Sequence, residues 1–126
     1  MKTIGLPIEQ PKLWILDVDG VIFIHNSHLK GKDELVPGFM NFYKQIRAED
    51  FIVIITARDK KYEAVTRLSL KKNNIRFNKI IFDAPKGERV LINDNKPDGA
   101  RTGFALNVDR DKFPGVKIKA RGMLRS

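Results

Sequence analysis

The sequence predicts an α/β fold built around a parallel sheet, and three observations carry that reading. Short apolar runs alternate with helical stretches, the chain order of a sheet with helical crossovers. One run, Phe51-Ile52-Val53-Ile54-Ile55, is a near-continuous β-branched stretch, as expected of a central parallel strand covered on both faces. Several runs end in polar residues with chemistry to offer, and parallel sheets place ligands at the carboxyl ends of their strands.

Taken in order, residues 1–12 read as an irregular lead-in. Leu13-Trp14-Ile15-Leu16 is a buried strand that ends in the loop Asp17-Val18-Asp19-Gly20. Val21-Ile22-Phe23-Ile24 follows so closely that it reads as a small flap strand, and residues 25–36 as a polar surface excursion. Pro37 suits the first turn of a helix whose apolar face carries Phe39, Phe42, Tyr43 and Ile46, with Met40 beside them. After the 51–55 run and Thr56-Ala57-Arg58-Asp59, a helix runs to about residue 72, with Tyr62, Val65, Leu68 and Leu70 facing inward. Lys79-Ile80-Ile81-Phe82, Val90-Leu91-Ile92-Asn93 and Thr102-Gly103-Phe104-Ala105-Leu106-Asn107 supply three further strands. The segment Asp83 to Arg89 between the third and fourth strands is too short for a helical crossover, a departure from a regular repeat. A basic tail over 110–126 reads as surface strand, coil or disorder.

The chain of 126 residues fits one domain, residues 1–126. It is 42% hydrophobic and 31% charged, ordinary for a globular protein, and has no apolar run long enough to span a membrane. Prolines 7 and 11 stand where a signal peptide would need an apolar stretch, so a cytoplasmic location is expected. The absence of cysteine excludes disulfides and thiolate metal sites. A balance of 24 Lys+Arg against 15 Asp+Glu, a net +9, favours anionic partners without choosing among phosphates, nucleic acid and glycans.

Four groups follow predicted strands: Asp17 with Asp19, Thr56, Lys86, and Asp94 with Asp98. Phosphoryl transfer needs an in-line nucleophile, neutralised equatorial oxygens and a proton for the leaving oxygen. Asp17 suits the nucleophile, and Asp17 with Asp94 the carboxylate ligands of magnesium, which prefers oxygen donors and retains water. Asp19 suits the acid/base. Thr56 and Lys86 suit the phosphoryl oxygens. Lys79 competes with Lys86, although it opens a strand rather than closing one.

The run Asp17-Val18-Asp19-Gly20-Val21 resembles the first motif of the haloacid dehalogenase (HAD) superfamily. Ile54-Ile55-Thr56 is similar to its second motif, Lys86 to its third, and Ile92-Asn93-Asp94-Asn95-Lys96-Pro97-Asp98 to its fourth. The resemblance spans residues 13 to 107. It implies a three-layer Rossmann-like fold with sheet order 5-4-1-2-3, Asp17 as nucleophile and Asp19 as acid/base. It also implies a magnesium site of Asp17, the Asp19 carbonyl and Asp94, with Thr56, Ala57 and Lys86 at the phosphate and Asp98, Arg58 and Asn95 in support. Asn93 and the short Lys86–Asp94 spacing depart from the pattern. The layout is similar to the phosphatase domain of phage polynucleotide kinase and to small sugar-phosphate phosphatases. The stretches between Asp19 and Thr56 and between Thr56 and Asp94 leave no room for a cap domain. An open site accepts a large substrate or is closed by a second subunit of a homo-oligomer.

The expected substrate is a phosphorylated small molecule, a sugar or sugar-acid phosphate. A nucleic-acid 3′-end phosphatase and an inactive HAD-like binding or assembly domain are the alternatives. His25 and His28 read as exposed loop histidines, with substrate contact the rival reading. Arg58 reads either as a contact to a second anionic group on the substrate or as a surface arginine at a helix start. Trp14 reads as core. Lys117, Lys119, Arg121 and Arg125 form the best candidate polyanion patch, although the tail lacks aromatics for base stacking beyond Phe113.

Overall fold

The computed structural model describes residues 2–7 and 10–120. It shows a small mixed α/β domain with two parallel sheets and interspersed helices. The strands are β1 (Lys2–Leu6), β2 (Leu13–Asp17), β3 (Phe51–Ile55), β4 (Lys79–Ile81) and β5 (Val116–Ala120); the helices are α1 (Phe39–Tyr43) and α2 (Glu63–Lys72). One sheet has the order β2-β3-β4, and the other pairs β1 with β5.

Sequence alternation explains how the larger sheet is covered. Leu16, Ile52 and Ile54 join one core with Phe39 and Phe42 of α1 and Leu70 of α2. The intervening residues Leu13, Ile15, Phe51 and Ile81 remain exposed. The β-branched run 51–55 is therefore packed on one side more fully than on the other, where covering on both was expected. Trp14 does pack inward, edge-on to Phe42 at 5.5 Å, and its Nε1 donates to Asp50 Oδ2 at 2.9 Å.

Two helices differ from expectation. α1 stops at Tyr43, short of Ile46, and starts after Gly38 rather than at Pro37. Gly38 has φ +90°, and a Cβ there would lie 2.8 Å from the Phe113 carbonyl oxygen, so only glycine fits this entry. Along α2 the buried residues are Thr66 and Leu70, while Val65 and Leu68 face solvent. On this inward stripe the Thr66 hydroxyl accepts from Arg58 Nη1 at 2.9 Å.

The flap 21–24 is not a strand. Val18 carbonyl accepts from the amides of Val21, Ile22 and Phe23, which winds the chain into a tight turn. Phe23 keeps only isolated bridges to Asp19 and Leu35. The lead-in, in contrast, is more ordered than expected, and the tail forms a strand, one of the readings open for it. Lys2–Leu6 pairs in parallel with Val116–Ala120, with Ile4 opposite Ile118. The Gln45 amide caps the other edge of β5, donating to Val116 O at 2.7 Å and accepting from Ile118 N at 2.9 Å. Met1, Ile8 and Glu9 of the lead-in, and Arg121 and Arg125 of the basic patch, lie outside the described residues.

The expected fourth and fifth strands, 90–93 and 102–107, are not strands among the described residues. Chain length supplies the reason. A strand laid parallel to β4 must begin at the opposite end of the sheet, and such a return takes a dozen or more residues. The chain after β4 instead turns back on itself. Lys96 N donates to Ala100 O at 2.9 Å, Gly99 N to Lys96 O at 2.8 Å, and Asn93 Nδ2 to Thr102 Oγ1 at 2.7 Å. This hairpin-like excursion leaves Val90, Leu91, Ile92 and Phe104 exposed.

Candidate functional site

Parallel pairing of β2 and β3 sets the centre of the site. Asp17, the last residue of β2, lies opposite Ile55, and Thr56 follows at once. Thr56 N donates to Ile81 O, Ala84 N to Thr56 O, and Asp83 N to Arg58 O, at 2.9 to 3.0 Å. These bonds tie the loop after β3 to the loop after β4. Lys86, two residues beyond Ala84, is therefore on the carboxyl side of the sheet and exposed, whereas Lys79 opens β4 at the other end.

Asp17 is partly exposed. Its Oδ1 accepts from Val18 N at 2.8 Å, and its Oδ2 lies 3.3 Å from Arg89 Nη1. Gly20, with φ +85°, completes the turn, and a Cβ there would meet Arg110 Cγ at 3.2 Å. Asp111 locks this neighbourhood by donating from its amide to Gly20 O and accepting from His25 N at 2.7 Å. Two guanidinium-bearing side chains that sequence reading passed over, Arg89 and Arg110, thus border the Asp17–Gly20 loop.

Arg58 is the most fully bonded side chain of the site. Nε and Nη2 donate to Asp19 at 3.1 and 2.9 Å. Nη2 and Nη1 donate to Asp33 at 2.7 and 3.1 Å, and Nη1 to Thr66 Oγ1 at 2.9 Å. A guanidinium has five N–H groups, and all five are used. The side chain is 1% exposed. Neither sequence reading of Arg58 holds: it is not a surface arginine, and it has no N–H left for a substrate anion. The Thr56 hydroxyl helps fix the loop by accepting from Arg58 N at 3.0 Å. Ala57 between them is half-buried.

Burial shapes the charges of this cluster. Desolvation by itself pushes the Asp33 carboxyl up and the Arg58 guanidinium down. Hydrogen bonds reverse both: those from Arg58, Ser69 and Ser27 hold Asp33 below the usual carboxylate range, and Asp33 and Asp19 raise Arg58. His28, expected to be exposed, is buried edge-on to Tyr62 at 4.7 Å. Its Nδ1 lies 3.9 Å from Asp19 Oδ1 and has no hydrogen-bond partner. Burial, followed by the Arg58 charge, lowers its pKa against the pull of Asp19 and Asp33.

The fourth expected group is not gathered with the others. Asp94, Asn95 and Asp98 are exposed on the excursion after residue 89. The Thr102 hydroxyl bonds to the Asp94 carbonyl, and Asp98 Oδ1 accepts from Ala100 N at 2.9 Å, so Asp98 shapes its own turn. Among the described residues no three His, Asp or Glu side chains gather as a metal cluster. Magnesium asks less, since it uses one or two carboxylates and keeps several waters. Asp17 offers one partly exposed carboxylate, and a hard ion there would have to share or displace the Arg89 guanidinium at its Oδ2.

Asp33, Thr66 and Arg89 were not identified as site residues from sequence. Asp33 sits in a polar excursion without a motif, and only a lone threonine among the apolar positions of α2 hints at a buried polar partner. No helix among the described residues is long and apolar enough to cross a membrane. Comparisons with protein-family models, with curated proteins and with solved structures found no match.

Proposed function

We propose that this chain is a magnesium-dependent phosphomonoesterase of the capless HAD type, working through an aspartyl phosphate on Asp17. The observation that carries the reading is the juxtaposition of Asp17, Asp19 and Thr56 at the carboxyl ends of two adjacent parallel strands. The basic residues Arg89 and Arg110 bordering the Asp17–Gly20 loop favour an anionic substrate.

In this reading an Asp17 oxygen attacks phosphorus, the bond to the leaving oxygen breaks, and Asp19 delivers a proton to that oxygen. Water then attacks the aspartyl phosphate while Asp19 takes its proton, which releases inorganic phosphate and restores both aspartates. Thr56, the Ala57 loop and Lys86 supply donors to the phosphoryl oxygens. Magnesium would be held by Asp17 and the Asp19 carbonyl, with Asp94 brought in from the excursion, and it neutralises charge on the phosphoryl group when bound. The three-layer Rossmann-like HAD fold is the finer form of the same proposal. A sugar or sugar-acid phosphate in a cytoplasmic setting is the proposed substrate, and the exposed Leu13 and Ile15 face is open to a second subunit.

The test is a magnesium-supplemented panel of sugar phosphates, nucleotides and 3′-phosphorylated oligonucleotides, read with intact-mass detection of the phosphoenzyme. Asp17→Asn is expected to abolish turnover and the added phosphoryl mass. Asp19→Asn is expected to slow turnover about 10²–10⁴-fold and to trap phosphate on Asp17 when p-nitrophenol leaves. Preference for the oligonucleotide would move the assignment to 3′ ends. Turnover that survives EDTA, or survives in Asp17→Asn, defeats the mechanism.

A further inference from the structure

We infer that Asp33 is a positioning residue for Asp19, acting through Arg58. The inference rests on the phosphomonoesterase reading above and adds to it a residue outside every motif.

The case is geometric. Arg58 lies between two carboxylates and grips each with two N–H groups, a planar fork on either side. The guanidinium is planar, so fixing one fork fixes the direction of the other. Asp33 is the better anchored carboxylate, with a 1% exposed side chain against 17% for Asp19. Asp33 Oδ1 also accepts from Ser27 Oγ at 3.0 Å, and that hydroxyl in turn accepts from Glu34 N at 3.2 Å. The excursion carrying it is stitched to the Phe23 turn by Ile24 N to Glu34 O at 2.7 Å and Val36 N to Ile22 O at 2.8 Å. Orientation therefore runs outward from the buried Ser27–Asp33 pair, through Arg58, to the Asp19 carboxyl. A lysine at 58 has a single ammonium group and could not hold two planar carboxylates in register.

A proton donor works only when its carboxyl is aimed at the leaving oxygen, and misplacement by about 1 Å costs on the order of 10²-fold. Asp33→Asn keeps the shape but turns one arm of the fork into an N–H₂ group facing an N–H donor. Arg58 then pivots, and Asp19 with it. With alkyl phosphates, kcat should fall about 10–100-fold while KM stays within about twofold, because Asp33 does not touch substrate. With p-nitrophenyl phosphate the first step needs little acid help. A pre-steady-state burst of nitrophenol of nearly full amplitude should precede a slowed steady state.

A purely structural role for Asp33 predicts something else: burst amplitude and steady state falling together. That result, with an active parent, overturns this inference and leaves the proposed function standing. An inactive parent overturns both. If Asp33→Asn does not fold, Thr66→Val takes its place, removing another anchor of Arg58 in an isosteric and fully buried position. It should show the same retained nitrophenol burst ahead of a steady state slowed by a smaller factor, about threefold to tenfold. A burst that falls in step with the steady state in that variant counts against the inference in the same way.

Discussion

Replacing Arg58 with methionine removes the central charge at roughly constant volume, and the structure sets the cost. Breaking a buried ion pair from one side costs about 3–5 kcal/mol, because the partner is left charged in a poorly solvated place. Asp33, whose side chain is 1% exposed, is that partner; Asp19, at 17%, can recover part of its hydration. We therefore expect a loss of about 3–5 kcal/mol near pH 7, a large share of the roughly 5–15 kcal/mol that holds such a domain together. The loss should also depend on pH. In the parent, Asp33 has a folded pKa below its usual 3.8, so its contribution is present above that value and is lost as pH falls through the folded pKa. In Arg58→Met, burial acts without its counterion and raises the Asp33 pKa, so the variant loses stability as pH rises from about 4. The gap between the two proteins should widen between about pH 4 and pH 7. Trp14 is the single tryptophan and is packed on Phe42, which makes its fluorescence the natural signal for urea unfolding across that range. A gap under about 1 kcal/mol, or one that is flat with pH, would refute the account of this cluster.

Two other substitutions probe the frame around the site. Asp50→Ala removes the acceptor of Lys12 N and Trp14 Nε1, both at 2.9 Å, and should cost about 2–3 kcal/mol in urea unfolding with a red-shifted Trp14 emission. Burial pushes the Asp50 pKa up, but these bonds hold it below 3.8. The cost should therefore be undiminished at pH 5 and shrink as pH falls below about 3.8. Gly38→Ala places a Cβ against the Phe113 carbonyl at positive φ, and a drop in thermal midpoint of several degrees is expected, from about 1–3 kcal/mol of strain. An unchanged midpoint would show that the loop before α1 relaxes freely.

The sequence was most legible where short-range pattern and burial agree. The strands at 13–17, 51–55 and 79–81 announce themselves by apolar runs bounded by polar loops, and each formed. The placement of Asp17 and Thr56 at neighbouring strand ends follows from those runs alone. What failed depended on long-range packing. Val90-Leu91-Ile92 has strand composition, yet the eight residues between β4 and Val90 cannot return it to a parallel register beside that strand. Lys2–Leu6 looked irregular because its partner, Val116–Ala120, lies at the far end of the described chain. Arg58 stood out as a residue to watch, but no periodicity shows that Asp33 and Thr66 would consume its remaining N–H groups.

Pairing of β1 with β5 has a kinetic consequence. These strands contribute Leu6 and Val116 as buried side chains, but their contacts join segments separated by nearly the whole described length. Contacts of such separation carry a large loop-closure entropy and slow folding relative to local ones. The Gln45 amide can hold β5 through Val116 and Ile118 only once α1 and the chain beyond it are in place. Closure of this small sheet should thus be a late event, with the β2-β3-β4 sheet and its helices assembled first. Substitutions at Ile4 or Ile118 should accelerate unfolding while leaving the refolding rate nearly unchanged.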